Sequence, residues 1–108
     1  MVDLRILEQD EVTIITATPE QCANVWKEIE AFMLLGRQAF VLDLAPCTFL
    51  TSLNIAAIIM MRNKVIANHG RVVLANLNDT TKAVFKTLKL DRFFALEYDV
   101  TTAIKIVR

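Results

Sequence analysis

Between Ala39 and Gly70 the chain reads AFVLDLAPCTFLTSLNIAAIIMMRNKVIANHG. The apolar run at its start is expected to be a strand that ends at Pro46, since proline lacks an N–H and fixes its own φ. Thr51 and Ser52 stand before a long apolar segment, and such side chains favour helix N-caps because their oxygen accepts an orphan backbone N–H. Gly70 closes the segment and is predicted at C′, just beyond the helix cap. The stretch therefore predicts a strand, a short loop and a helix, with the loop and the helix N-terminus as the functional edge.

The first half of this helix contains an unbroken apolar run, Ile55–Met61. Such a run covers about two helical turns, so its side chains point in every direction around the axis. A surface helix normally has a single apolar stripe, and complete burial of a helix is difficult in a chain this short. One interpretation is a fully covered core helix. We favour the other, in which the first turns of the helix contact a partner.

The composition of the chain argues against several classes of function. The 108 residues suit one domain, and the net charge of zero with no basic stripe argues against a nucleic-acid partner. Apolar residues make up 55% of the chain, above ordinary globular usage, which fits a domain that hides extra surface against a partner. The start of the chain lacks the basic and apolar regions of a signal peptide, and Arg62 and Lys64 make the apolar run too short to span a bilayer. We therefore expect a cytoplasmic protein without direct membrane insertion.

Neither the cysteines nor the single histidine indicates a metal or catalytic site. Cys22 and Cys47 are far apart in the sequence, no CxxC is present, and His69 is the only histidine, which excludes the common zinc patterns. Both cysteines are interpreted as reduced structural thiols, although the place of Cys47 in the functional loop leaves a redox role open. His69 is expected near a helix C-terminus, where imidazolium is favoured. No Ser/His/Asp signature or glycine-rich phosphate loop is present, so we expect a non-enzymatic protein without cofactors.

Turn and cap signals divide the rest of the chain. The order they predict is β-β-α-β-α-β-α-β-α, in which an opening hairpin is followed by strands that alternate with helices. Such alternation predicts parallel strands joined by right-handed crossovers. The other predicted elements are strands at Leu4–Glu8 and 12–17, a helix from Thr18 to Gly36, a strand at 71–77, a helix capped by Asn78, a short strand at 96–98 and a terminal helix capped by Asp99 or Thr101.

Four segments carry a further signal: Val41–Leu44, Phe49–Leu50, Gly70–Asn76 and Val84–Phe94. In their order and spacing they resemble the STAS family, which includes the bacterial anti-sigma factor antagonists. The resemblance covers essentially the whole chain, residues 1–108. It implies an α/β fold: a STAS-like single domain with an N-terminal β-hairpin, alternating βα units, and a mixed sheet with helices packed mainly on one side.

The chain departs from the family at the phosphorylation motif. The family's D-S-S-G falls on Thr51–Asn54, so that Leu53 stands where the usual acceptor would be and Thr51 replaces the Asp. A further family acid, expected near Thr18, is also missing. Some family members in multi-protein stress-signalling assemblies use the position that follows the Asp. Ser52 is therefore the candidate phosphorylation site, although a helix-capping role is the interpretation that we favour for this residue.

The resemblance implies a regulatory protein-interaction module. The partner would be a kinase-like anti-sigma factor, another STAS protein or a membrane lipid-transport complex, and a homodimer is left open. The expected partner-binding residues are Cys47, Thr48, Thr51, Ser52, Leu53, Asn54, Ala57 and Met61.

A small-ligand site is the alternative, because ligands of open α/β sheets bind outside the carboxyl ends of the strands. The polar residues expected at that edge are Asp43, Thr48, Thr51, Ser52, Asn76 and Asn78.

Overall fold

A mixed sheet lies at the centre of the computed structural model, which describes residues 5–92, 94–97 and 99–107. Within these ranges the sheet has five strands in the order β1-β2-β3-β4-β5, with β1 antiparallel to β2 and the others parallel. The strands are β1 (Arg5–Gln9), β2 (Val12–Thr16), β3 (Ala39–Asp43), β4 (Arg71–Ala75) and β5 (Ala95–Glu97). The helices are α1 (Val25–Leu34), α2 (Ser52–Ala67), α3 (Asp79–Thr87) and α4 (Val100–Val107). The predicted order of elements is confirmed, while the predicted strand ends at Leu4 and Tyr98, and Phe93 of the family motif, lie outside the described residues.

Local chemistry explains where these elements begin and end. Asp10 and Glu11 both have positive φ, as the two-residue turn of a tight hairpin requires. The predicted helix after Thr18 begins as a 3₁₀ helix over Pro19–Asn24 and only then continues as α1. Asn76 takes a left-handed φ of 61°, so β4 ends at Ala75, two residues before the predicted end of the strand at Leu77.

The helices divide unequally between the two faces of the sheet. Side chains alternate along each strand, so that Phe40 and Leu42 of β3 belong to the core cluster under α1, α2 and α3. Val41 faces the other way, into a smaller cluster that α4 covers with Ala103 and Ile104. The predicted packing of helices mainly on one side is confirmed.

Helix α2 has an ordinary buried stripe. Its buried side chains, Ile55, Ile58, Met61 and Val65, recur every three or four residues and face the sheet. Met61 is only 1% exposed, so the prediction that it contacts a partner is wrong; the outward neighbour Met60 is 45% exposed. The stripe was not visible in the sequence, because the residues on the outward face of α2 are apolar too, although their side chains are small or half-exposed.

The C-terminal end of α2 corrects the role of Gly70. His69 has a φ of 64° and is the left-handed C′ residue, and its N–H donates to the Ile66 carbonyl at 3.0 Å. Gly70 follows it and donates to the Val65 carbonyl at 2.9 Å, which completes a Schellman motif. Glycine is required there by close approach, since a Cβ would lie 2.8 Å from Val65 Cγ1 and 2.9 Å from the Gln38 carbonyl oxygen.

Candidate functional site: the N-terminal end of helix α2

The loops that follow β2, β3 and β4 leave the sheet at the carboxyl ends of these parallel strands, which we call the carboxyl edge of the sheet. They meet around the N-terminus of α2. Thr51 is the N-cap of α2, and its Oγ1 accepts a hydrogen bond from the Asn54 N–H at 3.1 Å. Asn54 reciprocates, because its Oδ1 accepts from the Thr51 N–H at 2.9 Å. This is a capping box with asparagine in the place that Glu or Gln usually takes.

Asn54 also joins two loops. Its Nδ2 donates to the Pro19 carbonyl at 2.8 Å, and this bond ties the 3₁₀ helix after β2 to the first turn of α2. The half-buried side chain therefore has a hydrogen-bond partner at each end within the chain. Asn54 is thus a structural clamp of the site, and its predicted contact with a partner stays a prediction.

Ser52 is the first residue of α2 and is exposed. The capping role that we favoured for Ser52 is wrong, because Thr51 performs it. The Ser52 side chain makes no hydrogen bond to any residue that the structure describes. Its hydroxyl is therefore available to solvent at a helix end where orphan N–H groups favour negative charge.

Asp43 connects the ends of three strands. Its Oδ1 accepts from the Ala45 N–H at 3.0 Å and from Asn76 Nδ2 at 2.9 Å, and its Oδ2 accepts from Thr16 Oγ1 at 3.2 Å. Such a network fixes the sheet edge from which the loop to α2 departs. Asp43 and Asn76, expected as ligand-binding groups, are bonded to each other.

Asn78 has a similar internal role at the start of α3. Its Oδ1 accepts from the Thr81 N–H at 2.8 Å, and its Nδ2 donates to the Thr48 carbonyl at 2.7 Å. A cavity beside it, lined by Phe49, Leu50, Ile55, Thr80, Thr81 and Val84, has a volume of about 50 Å³. Ligand pockets usually measure roughly 300–1,000 Å³, so this cavity is too small for a typical small-molecule ligand.

Two large apolar side chains remain exposed among these polar groups. Leu53 is 80% exposed and Phe49 is 63% exposed. Together with exposed Thr48, Thr51 and Ser52 they form what we call the α2 N-terminal surface. Phe49 lies in the loop that was predicted as part of the functional edge, but it was not named among the partner-binding residues, although a large aromatic side chain between two threonines was a usable signal.

The other predicted partner-binding residues differ in exposure. Ala57 is half-buried on α2. Cys47 is 3% exposed and belongs to the core cluster under the helices, so the prediction that it contacts a partner is wrong. The loop turns it inward, where its Sγ donates to the Ala17 carbonyl at 3.3 Å.

The STAS domain family model matches residues 4–103, and the chain belongs to this family. No curated protein matches the chain. Across the described ranges, no helix has both the length and the apolar character needed to cross a bilayer.

Solved structures with the same fold include regulatory proteins. An anti-sigma factor antagonist from Mycobacterium paratuberculosis is 19% identical, with a TM-score of 0.79 over 98% of this chain and 93% of that one. The Bacillus cell fate determinant SpoIIAA in its phosphorylated form is 17% identical, with a TM-score of 0.72 over 98% of this chain and all of that one. A chain from the stressosome, described as a signal integration and transduction hub, is 16% identical, with a TM-score of 0.76 over 95% of both chains. These likenesses confirm the fold, and family membership supports a regulatory STAS module.

Proposed function

We propose that this chain is a non-enzymatic regulatory module that binds a protein partner through its α2 N-terminal surface. The observation that carries the proposal is the exposure of Leu53 and Phe49 at a loop that internal hydrogen bonds hold in place. Large apolar side chains on a pre-organised surface gain free energy when a partner removes them from water. Polar Thr48 and Ser52 would form the rim of such an interface.

The partner that we propose is a kinase-like anti-sigma factor in the cytoplasm. Relatives of the same fold are described as anti-sigma factor antagonists, and one of them was solved in a phosphorylated form. Ser52 is the proposed acceptor, because its hydroxyl is exposed and without a hydrogen-bond partner among the described residues. A phosphate there would add roughly two negative charges beside Leu53 and weaken an apolar contact.

Membership of an assembly of STAS proteins is the second candidate. Leu53 occupies the position of the family's usual acceptor and is highly exposed, which suits a permanent apolar contact better than a phosphorylation switch. The stressosome chain of the same fold supports this candidate. Its partner would be another STAS protein, or a second copy of this chain in a homodimer.

Affinity capture with a matched pair of variants tests both candidates. Leu53→Glu places a charge in the proposed interface, whereas Leu34→Glu places one on an 84% exposed leucine at the end of α1, at the opposite edge of the sheet. Both variants should fold like the wild type, since both positions are exposed. The captured partner is then purified, and its affinity for the three proteins is measured.

We expect Leu53→Glu to weaken binding at least about tenfold and Leu34→Glu to leave it unchanged. Equal binding by all three proteins would refute the interface. A captured kinase supplied with ATP should place phosphate on Ser52 of the wild type and none on Ser52→Ala. Capture of another STAS protein in its place would favour the assembly.

A further inference from the structure

The fold brings the two cysteines together. Cys22 lies in the 3₁₀ helix that follows β2, and Cys47 lies in the loop between β3 and α2. Both are buried in the same core cluster. The Cys47 thiol donates to the Ala17 carbonyl at 3.3 Å and the Cys22 thiol to the Thr18 carbonyl at 3.5 Å, so neighbouring peptide units hold both sulfurs. The two side chains therefore enter the same part of the core, and each affects the pKa of the other as a neighbouring thiol does.

The two neighbouring thiols differ in pKa. The neighbouring Cys47 thiol lowers the pKa of Cys22, because its S–H can turn from the Ala17 carbonyl and donate to the Cys22 thiolate once that forms. The same hydrogen bond, together with burial, raises the pKa of Cys47 far above its ordinary value. Cys22 is therefore the sulfur that ionises first and acts as the nucleophile, and Cys47 is positioned as its resolving partner.

We propose that Cys22 and Cys47 form a reversible intramolecular disulfide when the protein meets a peroxide. The Cys22 thiolate attacks one peroxide oxygen and breaks the O–O bond, which gives a sulfenic acid and, after protonation of the leaving oxygen, water. The Cys47 sulfur then attacks the Cys22 sulfur and displaces the sulfenic oxygen as a second water. In total two thiols and one hydrogen peroxide give one disulfide and two waters, and a dithiol reductant reverses the change.

The disulfide would shift the loop that carries part of the α2 N-terminal surface. Each thiol must give up its carbonyl acceptor so that the sulfurs can approach to about 2.05 Å, and this draws the loop at Cys47 towards the 3₁₀ helix. Thr48 and Phe49 follow directly in that loop. Because both sulfurs are buried, the reaction requires a local opening and is slower than the oxidation of an exposed thiol.

Intact-mass spectrometry of the full chain before and after hydrogen peroxide tests the proposal without any partner. We expect the loss of two hydrogen atoms, a peptide that links Cys22 to Cys47, and recovery of the original mass with dithiothreitol. The oxidised form should melt on the order of 10 °C higher, because the bond constrains the unfolded chain.

The variants Cys22→Ser and Cys47→Ser should show no such intramolecular bond. The wild-type measurement decides the proposal even if a variant fails to fold. An unchanged mass, oxygen addition without a linked peptide, or only dimers joined between chains would each overturn it. None of these results tests partner binding at the α2 N-terminal surface, which the Leu53→Glu comparison tests separately.

Discussion

Replacement of Asn54 should loosen the edge of the sheet that holds the candidate site. Asn54→Ala removes the acceptor for the Thr51 N–H at 2.9 Å and the donor to the Pro19 carbonyl at 2.8 Å. Each hydrogen bond contributes a net of about 0.5–1.5 kcal/mol, which gives a loss of about 1–3 kcal/mol in the free energy of unfolding. Water can replace the bond at exposed Thr51, so we expect a value near about 2 kcal/mol.

Urea unfolding followed by circular dichroism measures this loss of stability, and two further variants serve as comparisons. Asn63→Ala makes the same exchange at an exposed position of the same helix and corrects for the higher helix propensity of alanine. It removes an exposed hydrogen bond from Arg62 Nη1 to Asn63 Oδ1, which water can replace. Asn54→Asp keeps an oxygen for the Thr51 N–H but cannot donate to Pro19, so its stability should lie between those of wild type and Asn54→Ala. If Asn54→Ala were as stable as Asn63→Ala, within about 0.5 kcal/mol, the clamp would be refuted.

Two further substitutions test the fold. Met61→Glu puts a carboxylate into the core and should cost at least about 3 kcal/mol, whereas Met60→Glu on the outer face should change stability by less than about 0.5 kcal/mol. Equal thermal unfolding temperatures for these two variants would contradict the assignment of the buried stripe. Gly70→Ala should lower stability by about 1–3 kcal/mol in urea unfolding, since its Cβ would meet Val65 Cγ1 and a backbone oxygen. A stabilised Gly70→Ala, the usual effect of replacing glycine where the conformation allows it, would contradict that account.

Most of the fold was predictable because its signals are local. The capping box of Thr18 and Gln21, the N-cap of Asn78 and the apolar strands bounded by Pro46 and Gly70 each follow from chemistry within a few residues. Their alternation then restricts the topology to parallel crossovers after a hairpin.

The face of α2 could not be predicted, because its apolar run has no periodicity that separates Met60 from Met61. The choice between Thr51 and Ser52 as the N-cap depends on backbone angles, which either residue type can adopt.

The proximity of Cys22 and Cys47 was invisible in the sequence for a different reason. Their elements follow adjacent parallel strands, β2 and β3, and only the packing of the two loops places both thiols in one core cluster, on the carbonyls of neighbouring residues. The internal roles of Asp43 and Asn76 have the same origin, since their hydrogen bond joins the ends of β3 and β4. Polar residues at such an edge predict a site, but the sequence does not show that they satisfy one another.

The central claim is that a partner covers the α2 N-terminal surface, and hydrogen–deuterium exchange tests it most directly. The purified chain would be compared alone and bound to its captured partner, with exchange followed by peptide mass spectrometry. We predict slower exchange at residues 48–54 in the complex and unchanged exchange around Leu34, at the opposite edge of the sheet. Protection around Leu34 or along β1, with none at residues 48–54, would contradict the claim.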